Sequence, residues 1–140
     1  IVDKDCSACH DTHGSTHARI LRDNFTQTFY APYNPHHFAL CCTCHNDPLV
    51  KDAKTTTWTG FRNGDQNLNF VHVNKTPKGR TCRACHDAHA TRNPKHITDT
   101  VPFGAYQMPV GFAKDPNGGS CLPGCHQQFK YDRDKKVKNR

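Results

Sequence analysis

Nine cysteines and eleven histidines stand in a chain of 140 residues, and many of them recur in one fixed order. The runs are Cys6-Ser7-Ala8-Cys9-His10, Cys41-Cys42-Thr43-Cys44-His45, Cys82-Arg83-Ala84-Cys85-His86 and Cys121-Leu122-Pro123-Gly124-Cys125-His126. Two thiols on one turn can add to the two vinyl groups of a single porphyrin, and a histidine directly after them falls under the iron. The spacing therefore predicts four haem c groups. Their thioether donors are Cys6 and Cys9, Cys41 and Cys44, Cys82 and Cys85, and Cys121 and Cys125, and their proximal ligands are His10, His45, His86 and His126. The fourth run has one extra residue between its cysteines, which a tight Pro123-Gly124 turn can absorb. Zinc ligation by the same runs needs shared or additional ligands that the chain does not pair up, and a disulfide scaffold leaves each following histidine unexplained. Cys42 is the ninth cysteine. Cys42-Thr43-Cys44 is too short for attachment, so Cys42 reads as a buried free thiol, with an intermolecular disulfide as the second choice.

The distal side of each iron needs a further donor. His13, His17, His36, His37, His72, His89 and His96 are spare, and Met108 is the one methionine. Histidine on both sides of all four irons is the simplest allocation. It closes every axial position and favours low reduction potentials. His13 and His89 each follow closely on a proximal histidine, too near to curl under the same iron. Each is expected to reach a neighbouring haem, which demands close haem packing.

The elements that must position these groups repeat. Cys6-Ser-Ala-Cys-His-Asp-Thr-His13 and Cys82-Arg-Ala-Cys-His-Asp-Ala-His89 match at six of eight positions. The chain reads as a single tetrahaem domain over 1–140. Two-haem repeats occupy roughly 1–48 and 72–130, with a linker at 49–71 and a charged tail at 131–140. Prolines and glycines act as breakers at Pro32, Pro35, Pro77 to Gly79, Pro116 to Gly119 and Pro123-Gly124. The expected fold is mostly irregular. Short α-helices over Asp5–His10, Ala39–His45 and Thr81–His86 wrap four stacked haems, Asn67–Val73 is extended, and there is little or no β-sheet. The tail reads as a solvated terminus.

Bulk properties agree with a cofactor-built interior. Only 34% of residues are hydrophobic, too few for an ordinary apolar core. The formal charge of +7 invites a nucleic-acid reading. Four haems bring about eight propionates and, when ferric, about four positive charges at the irons, so the oxidised holoprotein is near +3 and the reduced one near −1. No nucleic-acid motif is present. No stretch reaches the length of a membrane span. The start Ile1-Val2-Asp3-Lys4 reads as a processed product whose export signal was removed. Asn24-Phe25-Thr26 and Asn74-Lys75-Thr76 are weak glycosylation sequons.

CHDTHGS and CHDAHAT resemble the doubled Cys-x-x-Cys-His family of multihaem cytochromes c. The segments FRNGDQNL, HVNKTPKGRTCRACHDAHA, VPFGAYQMPVGF, GGSCLPGCH and YDR between Phe61 and Arg133 are similar to the C-terminal region of secreted multihaem cytochromes from metal-reducing and related microbes. That resemblance implies His13, His72, His89 and His96 as distal ligands, with His17, His36 and His37 in reserve. Asn69 departs from the pattern, standing where a second histidine is common in such proteins. The resemblance further implies electron transfer rather than catalysis, on a secreted, extracellular or cell-surface protein. The expected assembly is a homopolymeric filament in which one subunit can donate a distal histidine to the next. Other multihaem cytochromes and extracellular electron acceptors are the expected partners. A monomeric periplasmic shuttle is the alternative, and a multihaem reductase or a surface protein merely stapled by haem are the rivals from other classes.

Overall fold

Asp5 opens the first attachment turn. Its carboxylate accepts a hydrogen bond from the Ser7 amide, and one 3-10 turn closes over Cys6–Ala8. The third cluster makes the same turn over Cys82–Ala84 after Thr81. The second cluster sits on α1, Ala39–Cys42, which continues a 3-10 turn over Pro35–Phe38. The computed structural model describes residues 5–139 and includes two more short helices, α2 (Pro48–Lys51) and α3 (Leu68–Val73).

The α3 helix corrects the expectation of an extended Asn67–Val73. The Asn67 side-chain oxygen accepts from the amides of Asn69 and Phe70, and this cap starts a helix that the apolar, β-branched run alone does not announce. Asn67 is completely buried. Its Nδ2 donates to the carbonyls of Leu49 at 3.0 Å and Asp52 at 2.8 Å, which locks α3 against the end of α2. Phe38, Val50 and Val73 form the small apolar cluster between these segments, with Tyr33, Cys42, Leu49 and Cys82 packed on it.

The expectation of little or no β-sheet is overturned. Seven short strands form three antiparallel sheets among the described residues. β1 (Arg62–Asn63) pairs with β2 (Gln66–Asn67), and β3 (Thr100–Phe103) pairs with β4 (Tyr106–Pro109) in a register that sets Val101 opposite Met108. β5 (Phe112–Asp115), β6 (Gly118–Cys121) and β7 (Phe129–Asp132) make the third sheet, with β6 in the middle. The glycines that read as breakers are close-approach points instead. A Cβ on Gly118 would collide with the Tyr131 carbonyl oxygen, so only glycine lets β7 pair there. Gly104, at φ 59°, supplies the left-handed residue of the two-residue loop between β3 and β4.

The charged tail is tied down rather than solvated throughout. Asn63 donates to the Val137 carbonyl at 2.8 Å and accepts from the Val137 amide at 2.8 Å. Asn139 and Lys130 exchange two bonds of 2.8 Å each. No helix among the described residues is long and apolar enough to cross a membrane.

Candidate haem-binding centres

The first and third clusters are held by one hydrogen-bond frame, repeated. After Cys9 the chain loops out and returns so that the Asp11 amide bonds the Ile20 carbonyl at 2.7 Å and the Arg22 amide bonds the Cys9 carbonyl at 2.8 Å. In the later copy, Asp87 bonds the His96 carbonyl and Thr98 bonds the Cys85 carbonyl, both at 3.0 Å. The frame fixes each proximal ring. His10 Nδ1 lies 2.9 Å from the Arg19 carbonyl oxygen, and His86 Nδ1 lies 2.9 Å from the Lys95 carbonyl oxygen.

A carbonyl can only accept, so in each pair Nδ1 carries the hydrogen and Nε2 keeps its lone pair. This is the usual second contact of a metal-binding imidazole. His126 does the same to Gln127 at 2.6 Å, His72 to Leu68 at 2.7 Å and His37 to Pro32 at 3.0 Å. Among the described residues, no such carbonyl lies against the rings of His13, His17, His36 and His45. His89 Nδ1 stands 3.8 Å from Asp87. His96 Nδ1 is buried without a partner.

Several predicted site residues are brought together. The rings of His10 and His89 are 6.2 Å apart between centroids, with planes inclined by 24°. Cys41 hydrogen-bonds Cys82, and this bond, with burial, pushes the Cys41 thiol well above its ordinary value. Cys85 is pushed up to about 12 by burial and by nearby Cys121 and Cys125. His45 and His96 lie within electrostatic reach of His86. The clusters are therefore neighbours in space although they are spread along the whole chain.

The fourth cluster opens on a cleft. Cys121 and His126 line it together with His72, between Phe61, Leu68, Val71, Phe129 and Tyr131, and Lys75, Arg80 and Lys130 also border it. His72 stacks on Phe61 at 5.7 Å and His126 on Phe129 at 4.6 Å. Burial holds the His72 pKa below the ordinary imidazole value, so at neutral pH its ring stays an uncharged donor. The turn carrying Cys125 rests on Met108. A Cβ on Gly124 would meet Met108 Cγ at 2.8 Å, and the Gly124 amide bonds the Pro109 carbonyl at 3.2 Å.

The donor set fits haem c. No disulfide links any of the nine cysteines, each attachment pair sits on one turn or strand end, and an imidazole follows. No group of three or more His, Cys, Asp or Glu side chains converges to hold a bare metal ion among the described residues. Cys42 points away from attachment. It packs on the Phe38, Val50 and Val73 cluster, and its thiol is pushed up to about 11 by burial and by its hydrogen bond with Asp47.

Sequence reasoning missed the basic border of the fourth cleft and the carbonyls of Arg19 and Lys95. It also ranked His37 as a reserve, and only the fold shows that its Nδ1 meets a carbonyl as those of His10, His72, His86 and His126 do.

A family model, the doubled CXXCH motif, matches residues 1–49. That match supports a multihaem cytochrome c family and indicates covalent c-type haem binding with electron transfer. No curated protein and no solved structure matches the chain.

Proposed function

We propose that this chain carries four haem c groups, each with histidine on both sides of the iron, and that its role is to pass electrons along them. The observation that carries this reading is the adjacency of the four clusters: Cys41 on Cys82, Cys85 near Cys121 and Cys125, and His89 against His10. Groups attached at such neighbouring turns are close enough for direct electron exchange, and the protein's part is to set spacing, ligation and insulation.

The first haem takes Cys6, Cys9 and His10, with His89 from the later repeat as its distal ligand. The fourth takes Cys121, Cys125 and His126, with His72 opposite and Lys75, Arg80 and Lys130 placed to meet propionates. The second, on Cys41, Cys44 and His45, and the third, on Cys82, Cys85 and His86, draw distal ligands from His13, His96 and His37. The one of these three not taken, with His17 and His36, is left over and available to a neighbouring subunit. With both axial positions filled, the reading is not an enzyme but a conduit.

The finer proposal is an extracellular filament of this subunit, passing electrons to other multihaem cytochromes and to external acceptors. One feature supports it: the sequence holds more histidines than four irons need. Size-exclusion chromatography of the native protein, followed at the Soret band, tests both levels. Soret absorbance in the void volume, with filaments on imaging, is the expected result. A haem-loaded peak at monomer size refutes the filament and leaves a periplasmic shuttle. Absence of Soret absorbance refutes the haem reading altogether.

A further inference from the structure

Among the described residues, four non-glycine residues adopt positive φ, and they come as two pairs: Arg19 at 61° with Ile20 at 52°, and Lys95 at 61° with His96 at 56°. Left-handed backbone is costly for side-chain-bearing residues, and a β-branched residue such as Ile20 is a real outlier there. The pairs stand at matching places in the two frames. Their side chains do not match. Ile20 is 46% exposed, whereas its counterpart His96 is half-buried with an unpartnered Nδ1. What recurs is the backbone shape, and two contacts recur with it: the carbonyl of the second residue in each pair accepts from the Asp11 or Asp87 amide, and that of the first faces the proximal ring. The carbonyl of the first residue in each pair meets Nδ1 of the proximal histidine at 2.9 Å. His45, the proximal residue of the second cluster, has no such contact among the described residues.

We infer that the Arg19-Ile20 and Lys95-His96 pairs are positioning elements. Each holds a strained carbonyl against a proximal imidazole and thereby sets the first and third haems at lower potential than the second. The inference rests on the proposed haem ligation. A hydrogen bond accepted from Nδ1 makes Nε2 the stronger donor, which favours the ferric ion over the ferrous one. A ring without that bond donates less and leaves its iron easier to reduce. The device uses main-chain atoms, so ordinary side-chain replacement at these positions does not abolish it. A change of backbone preference does.

The test uses the full-length holoprotein with Arg19→Gly and Arg19→Pro. Both variants lose the same side chain and its bond to Gln27. Glycine adopts left-handed backbone freely and keeps the carbonyl in place, whereas proline is locked at negative φ and turns it away. Haem content is counted by mass first. Fewer than four haems in the wild type is a failure of the proposed function, separate from this inference. With four haems present, Arg19→Gly serves as the reference, because it shares with Arg19→Pro the loss of the guanidinium charge. Against that reference, Arg19→Pro raises one midpoint potential by about 59 mV, a tenfold change in that haem's oxidised-to-reduced ratio at fixed potential. Equal shifts in the two variants, or no shift in either, overturn the inference. Should the proline variant not load haem, exchange of imidazole N–H protons in the reduced wild type decides. Slow exchange at His10 and His86 with fast exchange at His45 upholds the device, and equal rates at all three overturn it.

Discussion

Removing the Asn67 side chain tests whether a single buried amide holds a distal ligand in place. Asn67→Ala deletes the cap on α3, which costs about 1 kcal/mol. It also strips the donors from the carbonyls of Leu49 and Asp52, at about 1 kcal/mol for each buried acceptor left unpaired. The expected loss is therefore about 3 kcal/mol, or a fall in melting temperature of about 10 °C for a domain of this size. The consequence should not be confined to stability. His72 lies on α3, with its ring fixed by the Leu68 carbonyl at the start of the same helix. A frayed α3 frees that ring. Thermal melts of the holoprotein give the first number, and carbon monoxide difference spectra give the second: one haem of the four should turn high-spin and bind the gas. Asn67→Asp separates the contributions, because a carboxylate can still cap α3 but cannot donate to two carbonyls. It should be no more stable than the alanine variant. A loss below about 1 kcal/mol in Asn67→Ala, or a melting shift with no carbon monoxide binding, refutes the argument that Asn67 holds a ligand through α3.

Two other predictions follow from single contacts. His89→Ala should open the first haem while Cys6 and Cys9 keep it attached, giving an unchanged haem count by mass and one carbon monoxide-binding haem; unaltered low-spin spectra would show that the His10–His89 approach has no ligand role. Cys42→Ser should retain four haems, and in the wild type the Cys42 thiol should resist alkylation at pH 8. Its ionisation is held back to about pH 11 by burial and by Asp47, so labelling should rise only as the pH approaches that value or when the chain is unfolded. Rapid labelling at pH 8 would place this thiol outside the Phe38 cluster.

The attachment chemistry was legible because it is local. Two thiols and an imidazole in one short run carry their meaning wherever the chain goes, and the return of the Cys6 motif at Cys82 pointed to matching frames. Geometry that depends on distant backbone was not legible. Nothing in Arg19-Ile20 or Lys95-His96 advertises a left-handed pair, since neither contains glycine. The three sheets were hidden for the opposite reason. Gly118, Gly119 and the prolines near them look like breaks, while the structure uses the missing side chains to bring Tyr131 against β6. The β3–β4 hairpin could have been found, because Phe103-Gly104-Ala105-Tyr106 has glycine in a two-residue loop between strand-like segments. The α3 helix turned on Asn67, which reads as an ordinary polar residue until its partners at the helix start and the end of α2 are known. Spare histidines could be counted from the residues but ranked only by resemblance, because which ring meets which backbone carbonyl depends on the fold.

The small apolar core makes one more demand. Among the described residues, the buried hydrophobic ones are Leu21, Ala31, Phe38, Val50, Val73, Ala84, Val101 and Val110, and only Phe38 of these is aromatic. Several larger apolar side chains are exposed instead, and some lie beside the attachment turns: Ile20 in the first frame, Leu122 inside the fourth cluster and Phe129 stacked on His126. A chain that leaves such groups uncovered while burying mostly alanine and valine lacks the apolar burial needed to offset the entropy of ordering itself. On the proposed ligation, porphyrin faces laid against these side chains would supply the missing contact area, and thioether and iron bonds would restrict the unfolded chain as well. Folding and attachment are then one process. The chain produced without haem attachment should show little ordered secondary structure by circular dichroism, no cooperative thermal transition and rapid proteolysis throughout. The holoprotein should melt cooperatively and resist the same protease. A cooperative melt of the haem-free chain would mean that the polypeptide supplies its own core, and would remove the reason for reading the exposed side chains as haem contacts.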